Sequence, residues 1–292
     1  MDTEKCAALL CALETGSLSA AAQRLGYTVS GMSRMVLSME AELGFRLLRR
    51  SRTGVMPTRE CELLLPCLRS MAGMDENLRQ LSAGIRGLET GRVRVGISYP
   101  AYYKALARAV SGFSDEHPGV EIEVFEARSS ALGAMLEDSE ADLCVMSRRS
   151  VDCDWTPLTN DSLAVWLPAG HPFSGSEAYP AAELENEAYI DIGPGEDTDN
   201  SRFLAGQGIR VRTRASTSDI YGALALVGAG LGVAMVNSLL ARELDTAGRA
   251  VLLPLDPPYS VEIGAACRRR SELSPAARRF IDYALPVLRG LE

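Results

Sequence analysis

Between residues 92 and 146 the sequence switches repeatedly between two periods. Val93-Arg94-Val95-Gly96-Ile97 reads as a strand and residues 102–116 as a helix. Pro118 and Gly119 then turn the chain into Val120-Glu121-Ile122-Glu123-Val124-Phe125, a strand of strict period two. Residues 130–138 read as a second helix and 141–146 as a third strand. A β-α-β-α-β run limits the topology sharply, because parallel strands need crossover helices and those crossovers are right-handed. The result is an open α/β sheet that receives ligands beyond the carboxyl ends of its strands.

A second set of the same kind follows. Strands are expected at residues 163–167, 188–192, 209–213 and 231–236, with helices near 200–206 and 218–227. Residues 261–267 read as a return strand and 275–291 as a closing helix. The uncharged run 220–241 contains glycines, an Asn and a Ser, so it reads as a buried helix, turn and strand rather than a membrane span. A chain of 292 residues has room for about two domains and a small third segment. With 47% apolar and 23% charged residues, disordered, collagen-like and disulfide-scaffold classes are excluded.

The opening MDTEKC has two acids and no basic stretch before an apolar run, which predicts no secretory leader. Seven cysteines form no CxxC pair, and an odd count without a leader reads as reduced thiols in a cytoplasmic protein. His117 and His171 each precede a proline, a turn signal rather than a ligand pattern. No metal and no cofactor is expected.

Charge is distributed unevenly. Residues 1–60 hold eight Lys or Arg against six Asp or Glu, whereas the remainder holds 22 against 32. Six arginines lie between Arg34 and Arg59, opposed only by Glu40 and Glu42. A compact basic segment on an acidic chain suits a polyanion, since phosphate neutralisation supplies much of the affinity for nucleic acid. The local pattern agrees. Cys6, Leu9, Leu10 and Leu13 mark an amphipathic helix over 3–14 that Gly16 ends. Ser17 and Ser19 offer N-caps to a short alanine-rich helix over 20–25, which Gly26 stops. Thr28 can cap a third helix reaching about Leu43, with Met32, Met35, Met39 and Leu43 as its buried stripe. Its other face carries Ser30, Ser33, Arg34 and Leu37: small residues permit close approach to base edges, and Arg offers a bidentate donor or a phosphate clamp. Residues 45–57 read as strand, basic turn and strand, with Arg49, Arg50, Arg52 and Thr53 forming a wing over the sugar-phosphate backbone. Taken singly, each serine reads as a helix cap or exposed filler; the order helix, helix, basic hairpin shifts the balance to DNA binding and adds Ser17, Ser19 and Thr28 to the expected contacts.

From Leu64 through Leu68, Met71, Met74, Leu78, Leu81 and Ile85 to Leu88, apolar residues recur every 3.4 positions on average, close to a coiled-coil seam. So narrow a stripe calls for a partner helix, with packing on its own domain as the alternative. Pro66 is expected to kink or delay this helix, and Gly84, Gly87 and Gly91 to mark its end.

The run ETGSLSAAAQRLGYTVSGMSRMVLSMEAELGFRLLRRSRTGVMPT resembles the N-terminal domain of LysR-type transcriptional regulators. The matching positions are Gly16-Ser17, Ala21-Ala22, Leu25, Ser33-Arg34, Glu42-Leu43-Gly44, Leu47, Arg50 and Thr58. Val29 stands where the family usually has Gln, which removes one amide able to read adenine. Pro57 and Glu60-Cys61 also depart from the pattern. Further on, GRVRVGIS, HPGVEIEVFEA, ADLCVM and ALVGAGLGVAMV are similar to the effector domain of the same regulators, a two-lobed fold like the type 2 periplasmic binding proteins; the family often ends its glycine-rich strand in Leu-Pro, where this chain has Val236-Asn237. The resemblance implies an α/β chain with an all-α, winged N-terminal module: a winged helix-turn-helix over 1–60, a linker and dimerisation helix over 61–90, and an effector domain over 91–292. Its first lobe would span about 91–160 plus 266–292 and its second about 161–265.

In such a fold the strand ends and helix starts face a cleft between lobes. Ser98, Tyr99, Arg128, Ser129 and Ser147 are the candidates from the first lobe, and Asp191, Thr217 and Ser218 from the second. Hydroxyls and free N–H groups suit a small polar organic metabolite, often a carboxylate, although Asp191, Glu196, Asp197 and Asp199 disfavour a strongly anionic one. The expected partners are double-stranded DNA with a roughly palindromic operator, a small-molecule effector and further copies of the chain; the pattern gives a dimer, and the resemblance alone implies a tetramer. The alternative is a cytosolic solute-binding sensor whose N-terminal helices serve a protein-protein role. An enzyme is disfavoured: there is no Gly-x-Ser-x-Gly elbow, no P-loop, and VGAGLG at 227–232 follows a helix rather than a strand.

Overall fold

A computed structural model describes residues 2–51, 54–85 and 90–290, with the side chains of Arg50 and Ser51 excepted. The chain opens with helices α1 (Thr3–Thr15), α2 (Leu18–Leu25) and α3 (Val29–Leu43). Each begins on a side-chain cap and stops at a left-handed glycine. Asp2, Ser17 and Thr28 accept from backbone N–H groups, and Gly16, Gly26 and Gly44 take φ of 63°, 73° and 83°. Cys6, Leu9, Met32 and Met39 are wholly buried, and Val36, outside the expected stripe, is buried with them; Met35 and Leu43 are half-buried. The hairpin follows as β1 (Leu48–Ser51) and β2 (Gly54–Pro57), paired antiparallel.

Helix α4 (Arg59–Ile85) begins ahead of Pro66 and runs through it, so the proline does not delay the helix. Thr58 explains the early start. Its hydroxyl accepts from the Cys61 N–H at 3.1 Å and donates to the Arg46 carbonyl at 2.8 Å, capping α4 while fastening it to the hairpin. The apolar seam then divides. Leu64, Leu68 and Met71 pack on the N-terminal core, whereas Met74, Leu78, Leu81 and Ile85 are exposed. The expected seam residue Leu88 lies outside the described residues.

The rest is two α/β lobes. In the first, β3 (Gly91–Ile97), α5 (Tyr103–Glu116), β4 (Val120–Glu126), α6 (Ser129–Glu137) and β5 (Leu143–Ser147) form a parallel unit of order β4-β3-β5. The next strand, β6 (Asp154–Pro168), is fifteen residues long, and only its second half was expected. Its first half is mostly exposed or half-buried and pairs with the return strand β12 (Ser260–Cys267); its second half is mostly buried and pairs with two strands of the second lobe, Ala234–Asn237 and Ala250–Asp256. One strand therefore serves both lobes. The second lobe contains β7 (Tyr179–Pro180), β8 (Ala188–Ile192), α7 (Asp199–Gln207), β9 (Arg212–Thr217), α8 (Ile220–Gly228), β10 (Ala234–Asn237), α9 (Ser238–Glu243) and β11 (Ala250–Asp256). A strand was expected at 209–213, but the residues that pair with β8 are those of β9, and Ile209 and Val211 instead pack against the core. Strands β7 and β11 and helix α9 had no expectation. Helix α10 (Pro275–Arg289) closes on the first lobe, burying Phe280, Ile281 and Ala284.

Candidate functional site: a nucleic-acid interface and an interlobe cleft

Helix α3 presents Ser30, Arg34 and Leu37 to solvent, with Leu37 45% exposed and Val29 49% exposed beside them. Ser33 is half-buried, so it sits at the edge of this face rather than at its centre. Thr28 is the cap of α3, accepting from the Gly31 N–H at 3.1 Å, and its hydroxyl lies 3.2 Å from that of Ser30. Ser17 likewise caps α2, and Ser19 is exposed on it. For Ser17 and Thr28 the capping role is thus the one realised in this structure.

The hairpin is held against α3 by a buried carboxylate. Glu40, 8% exposed, accepts from the backbone N–H of Leu47 at 2.8 Å and of Leu48 at 3.2 Å. At the far strand, Gly54 has φ 128° and lies so close to the Gly16 carbonyl that any Cβ would collide with it; the Val55 N–H donates to that carbonyl at 2.9 Å. These ties fix the wing relative to the third helix. Arg49 is exposed on β1, its Nε donating to the Pro57 carbonyl at 3.2 Å. Arg52 and Thr53 lie outside the described residues, as does the side chain of Arg50.

A cleft of about 240 Å³ opens between the lobes. Ser98, Tyr99, Arg128, Ser129 and Ser218 line it as expected. Three expected residues do not. Ser147 is buried behind Ser129, its hydroxyl 2.9 Å from that of Ser129 and donating to Asp199 at 2.9 Å. Asp191 is half-buried on β8 away from the lining, where desolvation raises its carboxyl above the ordinary range. Thr217 turns its hydroxyl to the N–H of Asp219 at 3.1 Å, and it is Asp219, not Thr217 or Ser218, that caps α8.

The lining also holds Glu126, Arg149, Asn200 and Asn237, which were not among the expected residues, and Asp197 and Asp199 of the acidic cluster. Arg149 lies three residues beyond the third strand's expected end, and Asn237 occupies the place where Leu-Pro was the expected pattern; both were available signals. Ion pairs join the lobes across the cleft: Arg128 with Glu196, and Arg149 with Asp199 at 3.0 Å. The Ser130 hydroxyl bonds Asp197, whose carboxyl is held down at about 2 chiefly by hydrogen bonding from Arg202. At the crossing of the lobes, Asp161 is buried yet fully supplied with donors: the Tyr99 and Ser238 hydroxyls and the N–H groups of Ser162 and Leu239. Burial, then the neighbouring Asp161 charge, raises the Tyr99 phenol far above its usual range, so it stays a donor.

Residues 86–289 match the model of the LysR substrate binding domain, and residues 4–62 that of the bacterial regulatory helix-turn-helix proteins of the lysR family. Among curated relatives, the uncharacterized HTH-type regulator YvbU of Bacillus subtilis is 25% identical over 93% of this chain and 93% of its own length. The HTH-type regulator CbbR of Sinorhizobium medicae is 27% identical over 92% of this chain and 88% of its own. Full-length OxyR from Pseudomonas aeruginosa superposes with a TM-score of 0.77 at 18% identity, covering 99% of this chain and 95% of that one, which shows the shared fold. The chain belongs to the LysR family: it is a DNA-binding transcriptional regulator that carries an effector-binding domain.

Proposed function

We propose that residues 1–60 read an operator through α3 and the wing, that 61–90 pair two subunits, and that 91–292 sense a small molecule in the interlobe cleft. One observation carries the DNA reading: Ser30, Arg34 and Leu37 stand exposed on one face of α3, beside a hairpin clamped to that helix by Glu40. Arg34 would act as a donor to guanine or phosphate, and Arg49 as a backbone contact on the wing. The exposed half of the α4 seam, Met74, Leu78, Leu81 and Ile85, supports pairing with a second copy. A two-fold dimer places two such helices on a roughly palindromic site.

Lobe closure can reach the linker along a continuous path. Helix α6 starts at Ser129 in the cleft and ends beside Asp138, and Asp138 and Glu140 both grip Arg69 of α4. Gln80 of α4 accepts from the Ala276 N–H of α10 at 3.3 Å. A ligand that changes the lobe angle would thereby bias the α4 pair and the spacing of the two wings. The cleft hydroxyls favour binding over catalysis: Tyr99 donates to a buried carboxylate, and Ser98 is paired with Ser129 at 2.7 Å. We read the protein as a regulator rather than an enzyme, acting in the cytoplasm where its DNA is; among the described residues no helix is long and apolar enough to cross a membrane.

The test is Arg34→Ala in the full chain, with sites first located by genomic footprinting. Affinity for the footprinted fragment should fall about tenfold, with reduced discrimination against random DNA, in a gel shift at fixed salt. Unchanged affinity removes α3 from the interface.

A further inference from the structure

The cleft's own charges restrict what can occupy it. Two arginines line it, Arg128 and Arg149, against four carboxylates, Glu126, Asp197, Asp199 and Asp219. Both guanidinium groups are engaged from the opposite lobe. Arg149, its side chain 6% exposed, donates to Asp199 at 3.0 Å, to the Ser130 hydroxyl at 3.3 Å and to the Arg148 carbonyl at 2.9 Å. Arg128 donates through Nε to Glu196. An anionic ligand that took Arg149 would strand Asp199, a carboxylate only 12% exposed, and an unpaired buried charge is strongly unfavourable. The second lobe therefore already supplies the anions that the first lobe's arginines would otherwise seek.

Glu126 and Asp219 differ. Glu126 accepts from the Tyr103 hydroxyl at 2.8 Å, and Asp219 from the N–H groups of Tyr221 and Gly222; neither forms a salt bridge with a described residue. Two buried amide atoms in the same lining also lack partners. Asn200 is 8% exposed, and its Nδ2 donates to the Met235 carbonyl at 2.8 Å, which fixes the amide with Oδ1 as an acceptor; that Oδ1 has no donor. Asn237 Nδ2 has no acceptor. Buried polar atoms without partners are rare and ask for a group that completes them.

We propose that the cleft takes a small organic cation, a ligand anchored by a protonated amine or amidine, in place of a dicarboxylate or phosphate ester. This rests on reading the cleft as the effector site. The cationic end is drawn by Glu126 and Asp219, its N–H groups complete Asn200 Oδ1, and a carbonyl or hydroxyl on the ligand completes Asn237.

The test uses thermal unfolding of the full chain with 1,4-diaminobutane, agmatine and succinate as probes, at matched ionic strength. Glu126→Gln with Asp219→Asn removes two charges but keeps one acceptor oxygen at each position, and Asn is itself a good N-cap for α8. Ser218→Trp fills the cleft from its exposed rim. The two amines should raise Tm and succinate should not. Their shift should fall by at least half in the double charge variant, and should disappear in Ser218→Trp. A shift from succinate that exceeds the amines' and is abolished by Ser218→Trp overturns the cationic class but leaves the effector cleft standing. No shift from any probe that depends on Ser218→Trp overturns both. The DNA reading is tested separately by Arg34→Ala and is unaffected by either result.

Discussion

Glu40→Ala should detach the wing from the recognition helix. The carboxylate accepts two backbone N–H groups, from Leu47 at 2.8 Å and Leu48 at 3.2 Å, and Leu47 and Leu48 are 0% and 6% exposed. Water cannot readily replace a lost acceptor there. Stranding a buried N–H costs about 1–3 kcal/mol, so two cost roughly 2–5 kcal/mol once the relief of burying a carboxylate is set against them. The ion pair to Arg46 at 3.6 Å adds little, because Arg46 is 75% exposed. Glu40→Gln retains a carbonyl oxygen as acceptor and should cost only about 1 kcal/mol. Urea unfolding of the full chain, followed by far-UV circular dichroism, measures both, and operator affinity should fall in the same order. If alanine and glutamine destabilise equally, or alanine by less than about 0.5 kcal/mol, the two N–H groups are not what holds the hairpin.

Leu78→Glu combined with Leu81→Glu places charges on side chains that are 66% and 51% exposed in one chain; sedimentation should show monomers, and operator affinity should fall because one half-site is lost, whereas an unchanged oligomer places the interface elsewhere. The Asp197 carboxyl is held at about 2 by Arg202, below its unfolded value, so the stability it contributes is complete above about pH 4 and is lost as pH falls through 2. Arg202→Gln removes that contribution, so the difference in Tm between wild type and variant should be positive at pH 5 and shrink toward pH 2. The effect should be small, since both groups are more than 40% exposed, and a difference that grows on acidification rejects the pairing.

The N-terminal helices were legible because local rules govern them. Ser17 and Thr28 cap, Gly16 and Gly26 stop, and Met32 and Met39 recur on one face; all of this is encoded within a turn or two of chain. The first β-α-β-α-β unit was legible for the same reason. The second lobe was less so. The first half of β6 carries Asp154, Asn160 and Asp161, and becomes a strand because β12, about a hundred residues later, pairs with it. Strand β11 and the two-residue β7 depend equally on distant partners.

In the cleft, the sequence could nominate residues at strand ends and helix starts, and Ser98, Tyr99, Arg128, Ser129 and Ser218 are there. It could not tell that Ser147 stands one layer behind, or that Arg149 meets Asp199 across the lobes. Residue type, spacing and capping are properties of neighbouring positions along the chain, so they determined the kind of elements, while the motif resemblance pointed to the family. Which polar groups find partners is decided by side chains brought together from well-separated positions, such as Ser129 with Ser147 and Arg149 with Asp199, and only the folded packing settles that.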